Sequence, residues 1–258
     1  MKQLLILAHL TILTLVSVPA VHALDLAELS DGKAAISFRY RYEDVDQDGI
    51  DKNAGASTLR TRFTWTSAVS DGFKIGLETD YVSVIGSERY NSTENGKPEY
   101  PVVADPEGLD LNLAYIAYTA DNHQVDFGRQ RILHGSQRFV GGVGWRQNEQ
   151  TYDALRYRPA FGKWSLDYTY LWNVNRIFGP DDGAQPADWH GDSHFVVGSR
   201  PINENHKVEV FGYLLDFEND NGPPNSSETW GLGYTGKLGI ATLAATIATQ
   251  DRKSTRLN

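Results

Sequence analysis

Residues Ala35–Glu43 read AISFRYRYE and Ser57–Ser67 read STLRTRFTWTS, and both alternate with a period of two. In the first, Ile36, Phe38, Tyr40 and Tyr42 share one side while Ser37, Arg39, Arg41 and Glu43 share the other. In the second, Leu59, Thr61, Phe63 and Trp65 oppose Arg60, Arg62, Thr64 and Thr66. Successive side chains of a strand point to opposite faces, so each stretch predicts a half-buried β-strand with one ring-bearing face and one charged face. After the tight turn Ser70-Asp71-Gly72 the pattern resumes, with Phe73, Ile75, Leu77, Thr79 and Tyr81 facing away from Lys74, Glu78 and Asp80.

The same reading extends along the chain. Leu109–Thr119 predicts a strand with Leu109, Leu111, Leu113 and Tyr115 opposed to Asp110 and Asn112. Further strands are expected at Val125–Arg131, Tyr152–Arg158, Trp164–Trp172, Phe195–Ser199, Val208–Phe217, Glu228–Tyr234 and Ile240–Thr249. Between the strands around 125 and 152 lies an irregular segment, 132–150, with four glycines. Helical periodicity is nearly absent, so the chain is all-β with about eleven strands. Short turns (70–72, 121–123, 161–163, 236–239) alternate with long polar stretches (44–56, 86–108, 173–194, 219–226). This asymmetry predicts a transmembrane antiparallel β-barrel of the Gram-negative outer membrane, short turns on the periplasmic rim and long loops outside. A soluble secreted sandwich could show the same alternation with its apolar face inward. The barrel is favoured because the strands approach the roughly 9–11 residues of a tilted membrane crossing. Tyr42, Trp65, Tyr81, Trp164, Trp172 and Trp230 also mark strand ends, where a half-wet ring suits a membrane interface.

The start of the chain sets the compartment. Lys2 precedes an apolar run from Leu4 to Val18, then Pro19 and the small-residue ending Val21-His22-Ala23. That layout predicts a signal peptide over residues 1–23 rather than an anchor helix, since the run is short and broken. Averaged hydropathy reads as that of a soluble protein, but a barrel strand alternates and leaves little hydropathy signal. The chain has no cysteine, which suits an oxidising compartment where stability comes from a closed hydrogen-bonded wall. The formal charge of −9 argues against nucleic acid as a partner. The tail Asp251–Asn258 breaks the preceding alternation with cationic residues and is similar to the translated read-through of a sequencing-library adaptor. We therefore expect the partial barrel to occupy residues 24–250, residues 251–258 to be non-native, and the C-terminal strands to be missing from a fragment. An odd strand count agrees, since single-chain bacterial barrels have even numbers.

Three constellations invite chemistry. Asp44-Val45-Asp46-Gln47-Asp48-Gly49 opens like a calcium loop, but its twelfth position is Gly55 where a bidentate Glu is needed, and a polar turn is the better reading. Asp188–His194 alternates His and carboxylate as a zinc site can, yet it falls in a long polar loop. Ser, His and Asp are scattered without a nucleophile elbow. No catalytic residue, metal or cofactor is expected. Arginine is the strongest signal. Arg39 with Arg41, Arg60 with Arg62, and Arg156 with Arg158 are i, i+2 pairs on polar strand faces, while Arg129, Arg131, Arg138 and Arg146 crowd the glycine-rich middle. Guanidinium is permanently charged and matched to carboxylate, so such pairs on neighbouring strands predict a cationic ladder that holds anions weakly in succession. The competing reading is that lumen acids, Glu43, Glu78, Asp80, Asp110 and Asp153, pair with these arginines and stiffen the wall.

The run GRQRILHGSQRFVGGVGWRQNEQTYDALRYRP (Gly128–Pro159) resembles the alginate export family of outer-membrane proteins, and FGYLLDFEND (Phe211–Asp220) and NSSETWGLGYTGKL (Asn225–Leu238) are similar to the same family. The resemblance implies a monomeric barrel of roughly 18 strands, more than Leu24–Gln250 can supply, with an arginine-rich lumen that passes anionic polysaccharide outward. It carries the lumen role to Arg129, Arg131, Arg138, Arg146 and Arg156; Arg39, Arg41, Arg60 and Arg62 rest on face assignment. The expected function is an anion-selective outer-membrane channel for passive diffusion or export, embedded in outer-membrane lipid and not an enzyme. The alternatives are an outer-membrane barrel hydrolase and a secreted carbohydrate-binding sandwich.

Overall fold

In the computed structural model, residues 30–220 and 223–252 are described; the expected signal peptide and residues 253–258 of the tail lie outside them. Eleven strands follow one another: Lys33–Val45 (β1), Ala54–Thr66 (β2), Phe73–Val84 (β3), Gly108–Ala120 (β4), His123–Gln130 (β5), Thr151–Phe161 (β6), Trp164–Asn175 (β7), Asp188–Asn203 (β8), His206–Leu215 (β9), Ser227–Leu238 (β10) and Ala241–Arg252 (β11). Each pairs antiparallel with the next in a single meander sheet, and β1 and β11 each keep one edge free among the described residues. No helix among these residues is long and apolar enough to cross a membrane. The chain is all-β, as the period-two patterning predicted.

The connections alternate as expected. Two-residue turns at 121–122, 162–163, 204–205 and 239–240, with the short 67–72, lie at one end; 46–53, 85–107, 131–150, 176–187 and 216–226 lie at the other. The tight turns take residues that tolerate a left-handed backbone, such as Asp71 (φ 47°) with Gly72 (φ 83°). Three boundaries differ from the sequence reading. Residues 188–194, read as loop, form the start of β8, because Ser193 and Phe195 alternate inward with His194 between them. Pro201, expected in a connection, is the β8 partner of Lys207, beside a register shift between Pro201 and Asn203. Asp251 and Arg252 of the tail continue β11, opposite Glu228 and Ser227.

One face of the sheet is oily and uncovered. Ile36 (63 % exposed), Phe38 (69 %), Phe63, Leu77, Tyr81, Ile116, Phe127 and Leu155 all lie on it. In water a patch of this extent would drive association; in a bilayer it is the lipid-facing wall. The other face is covered by chain. Val140 and Ile132, from the 131–150 connection, pack with Phe195, Val197, Phe211 and Tyr213 of β8 and β9, while Tyr90 and Val103, from the 85–107 connection, pack on Ala54 and Ala56 of β2. The inner face of β8 and β9 is therefore apolar under the connection, a departure from an all-polar lumen. Register also corrects one strand. A shift between Glu78 and Thr79 places Leu113 and Tyr115 out of step with Leu109 and Leu111. Leu113 and Tyr115 then turn inward, lining a cavity with Ala117, instead of continuing the oily face.

Candidate functional site

The segment 131–150 leaves β5 and enters β6, two adjacent strands, yet its side chains reach from β1 to β9. Its first half is anchored on β7–β9. His134 Nε2 lies 3.2 Å from Asp167 Oδ2, and the imidazole stacks on Tyr213 at 5.7 Å. Phe139 packs against Phe211 at 5.7 Å. Tyr152 closes the loop from below: its hydroxyl donates to Gly141 O (2.8 Å) and accepts from Gln150 Nε2 (2.8 Å). Gly141 lets the backbone pass where a side chain would collide: an added Cβ there would sit 2.7 Å from that of Gln137.

The second half is anchored on β1–β3 through polar contacts. Gln147 is fully buried. Its Oε1 accepts from Arg39 Nε (2.9 Å), its Nε2 donates to Thr58 Oγ1 (2.9 Å), and its backbone N–H donates to Asp105 Oδ1 (2.8 Å). Arg39 also donates to Gly144 O (3.2 Å) and to Arg146 O, and Arg60 donates to Gln147 O (3.2 Å). Arg41 bonds Trp145 O and Glu43 and lies over the Trp145 ring at 4.4 Å. Arg146 reaches Glu43 at 3.1 Å. Arg62 forms a two-point bond with Asp80 (2.6 Å each), touches Glu78 at 3.1 Å and reaches Glu149 at 2.6 Å; Arg131 bonds both Glu78 and Glu149. Burial works against ionisation of Glu149, but hydrogen bonds and charge from Arg131 and Arg62 hold its carboxyl below the usual range. Burial pushes Asp105 up, partly opposed by the Gln147 N–H and by Arg41.

Of the sequence-predicted arginines, Arg39, Arg41, Arg60, Arg62, Arg131 and Arg146 meet in this lattice. Arg156 and Arg158 also face inward, bound to Asp167 and Asp126. Each of these eight except Arg39 has a carboxylate partner among the described residues. The stiffening role read as the competing possibility is thus present, and the wall is far closer to neutral than an open ladder. Arg39 and Arg60 are direct cross-strand partners, a like-charge pair that the Gln147 contacts and Asp80 make tolerable.

Two positions do not fit the lumen expectation. Arg129 stands opposite Ala114 and Asp153 with the same parity as exposed Phe127, so it lies on the outward face, paired two-point with Asp153 at 2.7 and 2.9 Å. The alternation of β5 sends Asp126 and Gln130 inward, and Arg129 with Phe127 outward. Arg138 is exposed on the connection and joins no ion pair among the described residues. Asp110 pairs with no arginine there either. Asp44 and Val45 end β1 and Asp46–Gly49 open its connection to β2; neither this stretch nor Asp188–His194 gathers three metal-ligating side chains among the described residues.

The crossing segment itself, with Gln147, Glu149 and Asp105, was not read from sequence. Its only signal was the pairing of a glycine cluster, GGVG, with the polar run RQNEQ between two clear strands.

Known proteins agree with this architecture. A family model described as alginate export matches residues 33–205. Among solved structures, OccD3 (OpdP) of Pseudomonas aeruginosa is similar with a TM-score of 0.59 at 13 % identity, over 88 % of this chain and 50 % of that one. OccAB2 of Acinetobacter baumannii gives 0.65 at 11 % identity, over 88 % and 59 %. OpdK of Pseudomonas aeruginosa, solved with vanillate, gives 0.60 at 10 % identity, over 88 % and 59 %. This chain thus spans between half and three fifths of the length of those chains. Nothing among curated proteins matches it.

Proposed function

Since the chain belongs to the alginate export family of outer-membrane β-barrel channels, we propose that it supplies the wall and the constriction of an anion-selective pore. Anionic solutes, anionic polysaccharide such as alginate among them, pass through it by diffusion, without catalysis or cofactor. The protein lies in the outer membrane. Among the described residues β1 and β11 each keep one edge free, and an edge in hydrocarbon must be paired with another strand.

The observation that carries the reading is the segment 131–150, held by Arg39, Arg41, Arg60 and Arg62 of β1 and β2 at one end and packed on β8 and β9 at the other. A segment pinned at both ends narrows the passage at a fixed place. The arginines of this lattice stay charged at every relevant pH. Their carboxylate partners hold the guanidinium groups in position, while the charge left over, centred on Arg39, sets the sign of the field.

The test is the reversal potential of the full-length protein in a planar bilayer under a KCl gradient. Anion preference is expected, and it should weaken on replacing Arg39, Arg131 and Arg146 with glutamine. Cation preference unchanged by these replacements overturns the proposal.

A further inference from the structure

Between the crossing segment and the short-turn rim lies a cavity of about 290 Å³, room for roughly ten waters at about 30 Å³ each. Its wall comes from β3, β4, β5 and β6. Lys74 enters from β3, two residues past Gly72 of the turn; Gln124 from the start of β5; Arg156 and Arg158 from β6. The strands place these groups together only because the register shift in β3–β4 turns Leu113 and Tyr115 inward as the floor.

The hydrogen-bonding inventory of this cavity is unbalanced. Asp126 is the carboxylate on its lining, and both its oxygens are taken: Oδ1 by Gln124 Nε2 at 3.0 Å, Oδ2 by Arg158. Arg156 is held by Asp167, with its Nε at 2.8 Å. Lys74 has no acceptor among the described residues, although an ammonium carries three donors. Arg158 Nε is buried without a partner. A buried N–H without an acceptor is costly, and a half-buried ammonium on the same open, polar lining draws an acceptor toward it.

We infer that this cavity is a binding subsite for one oxyanion group, held by Lys74 and Arg158, on the short-turn side of the constriction. The inference rests on the anion-channel reading above and deepens it, placing the hold not in the neutralised lattice under the segment but in the space beneath it. The shared chemistry is a compact oxyanion, met in the carboxylate of a sugar acid or in free phosphate. A charged partner accepts from the Lys74 ammonium and is attracted by the Arg158 guanidinium on the same lining. Asp126, next to them, keeps the hold weak enough to release.

The test is block of the KCl current through the full-length channel by D-galacturonate, and separately by inorganic phosphate, added from the short-turn side. Wild type should show concentration-dependent block. Lys74→Gln should weaken it roughly tenfold, the scale set by loss of one charge-assisted contact. Lys74→Arg should keep it, and Asp126→Asn should strengthen it. Loss for both anions assigns a general oxyanion site; loss for galacturonate alone assigns a sugar-acid site. Absence of block in wild type, or block indifferent to Lys74, overturns the subsite. The reversal potential is a separate readout: anion preference with Lys74-indifferent block sinks only the subsite, and cation preference with Lys74-dependent block sinks only the channel's selectivity.

Discussion

Arg39 and Gln147 are 108 residues apart in sequence, and Arg39 Nε donates to Gln147 Oε1 at 2.9 Å. The bond joins the first strand to the far end of the connection between the fifth and sixth. Through it the segment becomes a bar across the bore instead of a loop above the membrane. A neutral amide suits this place: it accepts from one guanidinium while donating to Thr58, which a carboxylate could not do.

Replacing Gln147 with alanine removes that pin. Arg39 Nε, Thr58 Oγ1 and nearby carbonyls lose their partner, and each buried group left unmet costs about 1–3 kcal/mol. The segment should swing away from β1 and β2 while staying tethered to β8 and β9 by its apolar half. Single-channel conductance of the full-length protein should rise, and the urea midpoint should fall. Conductance equal to wild type would show that the segment does not set the width.

The wall was legible in sequence and the bar was not, for a physical reason. Strand faces follow a local rule, so Ile36, Phe38, Arg39 and Arg41 could be assigned from neighbours two positions away. The partners of residues 144–149 are set by tertiary reach: nothing local to Gln147 or Glu149 points to β1 or β2. The local rule also failed where register breaks. Leu113 and Tyr115 were placed on the oily face because a bulge is invisible in the alternation that it interrupts. Arg129 was assigned by company rather than by parity; counting from Phe127 would have put it outside.

Asp80 is fully buried and holds Arg62 at two points. Asp80→Asn keeps the shape and removes the charge. Breaking one side of a buried pair costs about 3–5 kcal/mol, reduced here because Glu78 and Glu149 still touch Arg62. The freed guanidinium charge of Arg62 and Arg60 should make the bore more anion-selective even as the barrel loses stability. A reversal potential that moves toward cations would contradict the charge balance drawn from the lattice.

Above the bore the 85–107 and 176–187 connections meet. Ala184 N donates to Thr93 O at 2.8 Å, and Glu94 abuts Gly179 and Gly183. Burial pushes the Glu94 carboxyl up to about 7, with Asp181 and Asp110 adding repulsion. The folded value stands above the ordinary 4.5, so this group's contribution to the contact is fully present below about 4.5 and is lost as pH rises through about 7. Hydrogen exchange at the Ala184 amide, corrected for intrinsic rate, should be slower at pH 6 than at pH 8. Glu94→Gln should hold the slow rate at both. Equal protection at the two pH values in wild type would remove Glu94 from the contact.

The outward face supplies the last test. Leu155 stands between Phe127 and Tyr170 in register, 41 % exposed on the oily side, and its neighbour Arg156 points to the bore. If lipid covers that face, an arginine at 155 must carry its charge into hydrocarbon, a cost of about 2–4 kcal/mol near the bilayer midplane and less toward either interface. If water covered it, a half-exposed arginine would be nearly free, within about 0.5 kcal/mol. Reversible unfolding of the full-length protein from liposomes separates the two: Leu155→Arg should lower stability by an amount in the lipid range, and Leu155→Phe should leave it almost unchanged. A Leu155→Arg barrel as stable as wild type would mean that this surface does not meet the acyl chains, and the inside-out partition of rings and guanidinium groups would have to be reversed.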